Sequence, residues 1–283
     1  MRTAKIGNSI LINEDCLKAM EFLIEKGIKV DAIITDPPYG TTACKWDSVI
    51  PPEPMWDCLN KLLNPQGSVL LFTSGLFTPR IMLSNINDFK YRWVWVKNNS
   101  TNFVHAKNRP MTKSEDILVF SKAPMGHASQ LGNKRMTYNP QGLIPCNKVI
   151  KAGKGRFGTV AGVRPSHKEE FVREYTNYPS DVLFDFPEDV STKKLHPTQK
   201  PVALLEYLVK TYTNENEIVL DFTMGSGTTG VACQNTKRRF IGIEFNPEKD
   251  KEGNLIEPDK YFKVAVKRLQ DNLAKGEEEA NGK

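Results

Sequence analysis

Short apolar runs alternate with stretches in which apolar residues recur at spacings of three and four, first over residues 9 to 121 and again over residues 201 to 273. The runs Ser9 to Asn13, Asp31 to Thr35, Gly67 to Thr73, Tyr91 to Lys97 and Asp116 to Ser121 are predicted strands. Between them, Cys16 to Lys26, Glu53 to Leu63 and Leu76 to Ile86 carry the spacing of amphipathic helices. The second block repeats the arrangement: helix Pro201 to Tyr212, strand Glu217 to Phe222, helix Thr228 to Asn235, strand Arg239 to Glu244, helix Lys260 to Leu273. Pro201 suits a first helical turn, where its missing N–H costs nothing. Strands alternating with helices predict an α/β fold, a mostly parallel twisted sheet covered by helices. From about Ala123 to Lys194 the periodicity breaks down, and this segment reads as an inserted, loop-rich module. Residues 1–122 and 195–275 then form two halves of one domain, and 276–283, with its Glu277-Glu278-Glu279 run, reads as a flexible, frayed terminus.

Composition leaves that picture intact. With 283 residues, 39% hydrophobic and 25% charged, the chain is that of an ordinary soluble globular protein. Its longest apolar stretches, such as Ser68-Val69-Leu70-Leu71-Phe72, fall far short of the roughly 18 residues a spanning helix needs. No membrane association is expected, and the first ten residues lack the apolar core of a secretory signal. The five cysteines (Cys16, Cys44, Cys58, Cys146, Cys233) are scattered, with no CxxC pair. Neither a disulfide framework nor a zinc site is indicated, and a cytoplasmic setting is the default.

Charge adds more. The net charge is only +6, yet Lys97 to Tyr175 holds 14 Lys/Arg against 5 Asp/Glu, so the rest of the chain is net negative. Such a surface attracts a phosphate backbone without regard to sequence. Lys107, Arg109, Lys151, Lys154 and Arg156 are the candidate phosphate-backbone contacts, the alternative being a solvated basic loop. The aromatics Phe103, Tyr138, Phe157, Phe171, Tyr175 and Tyr178 in and around this region could interleave the phosphate contacts with base or backbone packing, but most are expected to form the small core of the module.

Two constellations carry chemistry. In the first, the apolar strand Asp31 to Thr35 ends in Asp36-Pro37-Pro38-Tyr39-Gly40. Ligands of open α/β sheets bind outside the carboxyl ends of the strands, which puts this tetrad at the rim of a site. Pro37 forces an extended backbone on Asp36 and Pro38 lacks an N–H, so a carboxylate and a stiff row of carbonyls face the ligand. An exocyclic amine needs such acceptors, and Tyr39 offers a flat face to a nucleobase. In the second, the strand Ile218 to Phe222 runs into Thr223-Met224-Gly225-Ser226-Gly227 and then a helix. Glycines admit close backbone approach, and a helix N-terminus offers unpaired N–H groups. About 20 residues on, the next strand ends in Glu244, placed to accept hydrogen bonds from ribose hydroxyls. Any adenosine-type cofactor fits this geometry, NAD included; a Walker loop does not, for want of a lysine after the last glycine.

Together these residues resemble the S-adenosylmethionine-dependent DNA amino-methyltransferases. Asp36-Pro37-Pro38-Tyr39 matches the catalytic motif of that family, and Asp221-Phe222-Thr223-Met224-Gly225-Ser226-Gly227 looks like its cofactor motif. His196-Pro197-Thr198-Gln199-Lys200-Pro201 resembles the segment that precedes the cofactor motif. The order, with the tetrad first, the basic region second and the cofactor motifs last, is that of the circularly permuted β group. The resemblance spans roughly residues 9 to 122 and 193 to 272. It implies a Rossmann-like methyltransferase sheet and S-adenosylmethionine as cofactor, bound by Asp15, Leu17, His196, Thr198, Lys200, Asp221, Phe222, Gly225, Gly227 and Glu244. It also implies base flipping in double-stranded DNA, with Asp36, Pro37, Pro38 and Tyr39 catalytic. A homodimer and a cognate restriction endonuclease are compatible partners. An Asp opening the tetrad tilts the product toward N6-methyladenine over N4-methylcytosine. The family usually has Gly where Glu14 stands, and Asp15 also suits a helix N-cap.

Other readings are weaker. Pro145-Cys146 looks like the dipeptide of the cytosine-C5 enzymes, but no apolar strand leads into it. Protein glutamine methyltransferases usually have Asn in place of Asp36, and neither they nor free-nucleotide enzymes need so basic an insertion. A non-catalytic DNA-binding module would have no need to keep Asp36 and the glycines.

Overall fold

Along β3 (Val30–Thr35) and β4 (Leu63–Thr73), successive buried side chains point to opposite faces of one sheet, and this alternation sets the architecture. Ala32, Ile34, Leu70 and Phe72 pack into one core; Val30, Ile33, Val69 and Leu71 pack into another. A sheet that is apolar on both faces must be covered on both. The computed structural model describes residues 1–41, 47–126, 128–151, 170–187, 195, 199–246 and 255–281.

The remaining strands are β1 (Arg2–Ile6), β2 (Ser9–Asn13), β5 (Phe89–Thr101), β6 (Thr112–Phe120), β7 (Ile144–Lys151), β8 (Glu170–Thr176), β9 (Val182–Leu183), β10 (Ile218–Asp221) and β11 (Arg239–Glu244). The helices are α1 (Cys16–Glu25), α2 (Pro52–Leu62), α3 (Phe77–Ser84), α4 (Ala128–Leu131), α5 (Val202–Tyr212), α6 (Thr228–Asn235) and α7 (Lys260–Asn281). Among the described residues, nine strands form one sheet in the order β1-β2-β11-β10-β3-β4-β6-β5-β9. The central run from β2 to β4 is parallel throughout, while β1, β6 and β5 introduce antiparallel pairings. The result is the expected mostly parallel α/β fold. No helix among the described residues is long and apolar enough to cross a membrane.

Helices α1, α2 and α3 bury Ala19, Met20, Leu59, Leu62 and Ile81 against one face, and α5, α6 and α7 bury Leu204, Leu208, Val231 and Phe262 against the other. The helix that follows β3 therefore lies on the opposite face from the helix that follows its neighbour β10. Such a reversal opens a crevice at the carboxyl ends of the two strands, the position where ligands bind in sheets of this kind.

The chain divides into two compact units, Met1–Asn139 with Asp181–Lys283, and Pro140–Ser180. The described residues of the second are mainly those of the paired strands β7 and β8, which are nearly all exposed, Phe171 and Tyr175 included. Phe103 and Tyr178 are exposed as well. The expected aromatic core of the basic region is therefore absent at these four positions: a two-stranded ribbon has too little surface to enclose a ring. Tyr138 is half-buried and packs edge-on against Tyr212, in the first unit; Phe157 lies outside the described residues. Helix α7 also runs on past Leu273 through Gly276 to Asn281. The strong helix formers Glu277, Glu278 and Glu279 extend it, and the exposed Gly276 costs only about 1 kcal/mol relative to Ala.

Candidate active site

The carboxyl ends of β3 and β10 are clasped together by hydroxyls. Thr35 donates from Oγ1 to Asp221 at 2.7 Å, and its Oγ1 lies 2.6 Å from that of Thr223, which in turn donates to the Asp36 backbone carbonyl at 3.1 Å. Asp221 also accepts from the Thr229 hydroxyl at 2.6 Å and the Thr223 N–H at 3.1 Å, so both of its oxygens are engaged. Burial raises its pKa to about 6, against these hydrogen bonds. Asp221 borders a cavity at these strand ends, but its bonds hold the turn from β10 into α6.

That turn needs glycine at two positions for different reasons. Gly225 has φ +51°, lines the cavity and donates its N–H to Glu244 at 2.7 Å. Gly227 has φ +77°, and a Cβ there would fall 2.9 Å from Leu269 Cδ1 and 3.0 Å from Ala265 Cβ. Gly227 thus serves the close packing of α7 and does not line the cavity. Arg268, on α7, donates to the Ser226 carbonyl and to the Thr228 hydroxyl, fixing the turn from outside.

Past β3, the prolines end the strand and Asp47 secures the next two residues, accepting the Gly40 and Thr41 N–H groups on its two oxygens at 2.9 and 2.8 Å. The Asp36 carboxylate receives the Tyr39 hydroxyl at 2.6 Å on one oxygen and the Lys200 ammonium at 2.5 Å on the other. The Tyr39 ring stacks on Phe77, centroids 5.0 Å apart. The Pro37 carbonyl accepts no hydrogen bond among the described residues. Lys200 lies 3.2 Å from Glu115 as well, and its ammonium sits over the Phe72 ring; Glu115 pairs in turn with Lys97. Asp36, Lys200, Glu115 and Lys97 form one chain of alternating charge, each largely withdrawn from solvent.

Burial shifts these groups in opposing senses. It pushes the Asp36 carboxyl above the usual range against the pull of Lys200. Burial disfavours the Lys200 charge too, yet Asp36 and Glu115 more than offset it and raise its pKa. Glu115 is likewise penalised by burial, but Lys200 and Lys97 bring it below its ordinary value. Lys200 is thus a firmly held cation. The structure engages it with two carboxylates, one of them Asp36.

A cavity of about 610 Å³ joins these parts, within the range of small-molecule sites. Asp36, Pro37, Pro38, Tyr39, Lys97, Glu115 and Lys200 line it together with Phe222, Gly225 and Glu244. Asp15 and Leu17 line it too; Asp15 caps α1, accepting the Leu17 and Lys18 N–H groups at 3.1 and 3.3 Å. Glu14 is turned to the N-terminal ammonium, 3.2 Å away. Among the basic candidates, Lys107 and Arg109 are exposed on the loop between β5 and β6, and Lys151 is exposed at the end of β7. His196, Thr198, Lys154 and Arg156 lie outside the described residues. Cys146 is exposed on β7, its thiol donating to the Arg173 carbonyl.

Glu115, Lys97 and Asp47 have no place in the motifs read from the sequence. Two acids, Glu115 and Asp116, precede the apolar run Ile117 to Phe120, and only the sheet order singles out Glu115.

A family model described as DNA methylase (N6_N4_Mtase) matches residues 30–252. The chain belongs to this DNA methylase family. The type II methyltransferase M.HpaI of Haemophilus parainfluenzae is 29% identical over 275 residues, covering 93% of this chain and 74% of its own length. The DNA adenine methyltransferase YhdJ of Escherichia coli is 30% identical over 255 residues, 85% of this chain and 76% of its own. Among solved structures, that of the M1.HpyAVI–SAM complex is similar over 92% of this chain and 98% of its own, with 27% identity and a TM-score of 0.56. The methylase is S-adenosylmethionine-dependent, and its own residues fit that cofactor. The cavity brings a half-buried carboxylate, Glu244, beside the glycine turn, and desolvation raises its pKa to about 8. A carboxylate so disfavoured as an anion gains from hydroxyl donors such as those of a ribose.

Proposed function

We propose that this methylase transfers a methyl group to the N6 amine of adenine at a specific site in double-stranded DNA, with the target base flipped out of the helix. The observation that carries the reading is one cavity in which Asp36, oriented by Tyr39 and Lys200, shares the walls with Gly225 and Glu244. The target amine and the cofactor then meet in a single space. The cofactor, when bound, supplies a methyl group on a cationic sulfur. Glu244 accepts the ribose hydroxyls, Gly225 lets the backbone approach, and Asp15, Leu17 and Phe222 complete that side of the site; His196 and Thr198 belong to the same role by motif.

An aromatic amine is a poor nucleophile because its lone pair is delocalised into the ring. Asp36 and the Pro37 carbonyl accept its two N–H groups and localise the lone pair on nitrogen. Each carboxylate oxygen has two acceptor sites, so Tyr39 and Lys200 leave Asp36 room for the amine. Lys200 keeps that carboxylate charged in a buried setting, where it also stabilises the positive charge that develops on the amine. Tyr39, backed by Phe77, provides the aromatic face for the flipped base. No covalent enzyme intermediate is needed: the amine lone pair forms the new N–C bond, the methylated amine then gives up one N–H proton to solvent, and positioning and electrostatics carry the catalysis.

The motif order supports a permuted arrangement, with the insertion at residues 123–194, which holds the unit Pro140–Ser180, as target-recognition module. Lys107, Arg109, Lys151, Lys154 and Arg156 supply phosphate contacts. Adenine is favoured by the Asp that opens the tetrad and by the resemblance to YhdJ, itself named an adenine enzyme. Duplex DNA methylated in vitro, digested to nucleosides and resolved by mass spectrometry, should yield N6-methyl-2′-deoxyadenosine as the modified nucleoside. A predominance of N4-methyl-2′-deoxycytidine would overturn the choice of base and leave the amine chemistry standing.

Glu244 makes cofactor binding depend on pH. With a pKa raised to about 8 by burial, the carboxyl of the free enzyme is largely protonated at pH 7. Hydroxyl donors favour the ionised form and lower the pKa, so binding releases a proton. Affinity should therefore rise as pH increases from about 6 to 8 and level off above that. Calorimetry in buffers of differing ionisation enthalpy measures the release directly. Glu244→Gln should bind more weakly and release no proton; a full proton released by that variant would exclude Glu244 as its source.

A further inference from the structure

We infer that Phe103 and Val104, on the loop between β5 and β6, form the apolar wedge that enters the base stack beside the flipped target base. The inference rests on the base-flipping reading and extends it to residues outside the cavity. Phe103 is 80% exposed and Val104 88% exposed, adjacent in sequence and without apolar cover among the described residues. Large apolar side chains left in water side by side, in a protein that buries Trp95 and Phe72 completely, call for a partner.

The loop places the pair at the rim of the site. Thr101, two residues before Phe103, lines the cavity, as do Lys97 and Glu115 on the same two strands. The neck of the loop is pinned: Thr101 pairs with Thr112 across the strands and donates its hydroxyl to the Thr112 carbonyl, and the Asn102 side chain donates to the Thr112 hydroxyl at 3.0 Å. Asn102 turns the chain with φ +67°, a conformation that Asn tolerates. Backbone bonds from Ala106 to Phe103 and from Asn108 and Arg109 to His105 close the loop on itself. Phe103 and Val104 are thereby held outward on a short, self-bonded loop.

The surroundings name the partner. From Lys97 to Ser114 the chain carries Lys97, Lys107, Arg109 and Lys113 and no acid. Lys107, Arg109 and Lys113 are all exposed. Cations around an apolar tip fit phosphates around a base stack, and apolar wedges between base steps are a recurrent means of unstacking a duplex. A flipped adenine leaves a gap one base thick next to an orphaned partner base. A phenyl ring fills that gap by stacking, and the valine adds bulk on the same side.

The test uses the full chain and a duplex carrying 2-aminopurine at the target position, once that position is mapped. Wild-type binding should raise the fluorescence strongly as the base leaves the stack. F103A/V104A should lower the flipping equilibrium by about tenfold, the size of one lost aromatic–base stack. The same variant should recover most of its methylation rate on a duplex whose target base is mismatched, because an unpaired base needs less help to leave. Since both side chains are exposed, cofactor affinity and unfolding midpoint serve as controls and should stay at wild-type values. A variant that keeps the full fluorescence rise overturns the wedge while base flipping stands. No rise for the wild type on the 2-aminopurine duplex, at a site whose adenine counterpart it methylates, overturns both. A change in oligomeric state with unchanged flipping assigns the apolar pair to a second copy of this chain and overturns the wedge.

Discussion

Asp36→Ala should lower kcat on duplex DNA by about a thousandfold or more while cofactor affinity stays close to wild type. The two effects separate because Asp36 and the cofactor motif share a cavity without sharing hydrogen bonds through the Asp36 side chain. Its carboxylate is bonded to Tyr39 and Lys200, whereas the Glu244 carboxylate is bonded to the Gly225 N–H. The link between the strands runs from the Thr223 hydroxyl to the Asp36 backbone carbonyl, which alanine retains. Lys200 keeps Glu115 as a counter-ion in the variant, so the fold should hold. The substitution removes the acceptor that localises the amine lone pair and the charge that meets the developing cation. Asp36→Asn retains an acceptor oxygen but not the charge, and its loss should be smaller. Single-turnover rates at saturating cofactor and DNA, with calorimetry for the cofactor, measure both quantities. An Asp36→Ala enzyme within tenfold of wild type would remove Asp36 from the chemistry.

Much of the scaffold is legible in the sequence because strand and helix periods are local. An apolar run closed by Pro37-Pro38 predicts a strand and its end, and the pattern from Thr228 to Asn235 gives a helix at its observed bounds. The strand β1 escapes such a reading because Arg2–Ile6 is mostly exposed and pairs with only one neighbour, at the sheet edge, so it carries little apolar signal. The paired strands β7 and β8 lack a buried face and hence a period to detect.

Within the site, residue types are readable and competing pressures on them are not. Gly225 and Gly227 look equivalent in sequence, yet one lines the cavity and the other makes room for Leu269 on a distant helix. Asp221 sits inside a cofactor motif, yet its oxygens are engaged by Thr35, Thr223 and Thr229. The union of Asp36, Glu115 and Lys200 depends on strand order: β3 pairs with β4 and β4 with β6, which brings Glu115 to the rim that Asp36 occupies. No local pattern encodes a meeting of residues so far apart in the chain.

That buried chain of charges makes Lys200 a position where a single polar-to-apolar substitution should cost much stability. Lys200→Met keeps the length and apolar character of the stem but leaves Asp36 and Glu115 facing one cavity without the cation between them. Removing one partner of a buried ion pair typically costs about 3–5 kcal/mol. Glu115 retains Lys97 and Asp36 retains the Tyr39 hydroxyl, so a loss near ~3 kcal/mol is expected at pH 8. The sign with pH follows from Asp36. Burial already pushes its pKa up and Lys200 opposes that push; without the cation the folded-state value rises further. Between the ordinary carboxylate range and that raised value, the folded variant holds a proton that the unfolded chain has released. Stability of the variant therefore increases as pH falls through this window, more steeply than for the wild type. Urea unfolding at pH 8 and pH 5.5 should show the gap between Lys200→Met and wild type narrowing at the lower pH. Adding Glu115→Gln should recover part of the loss at pH 8 by removing the second carboxylate. A Lys200→Met protein as stable as wild type at pH 8 would mean that the cation does not hold these two acids together.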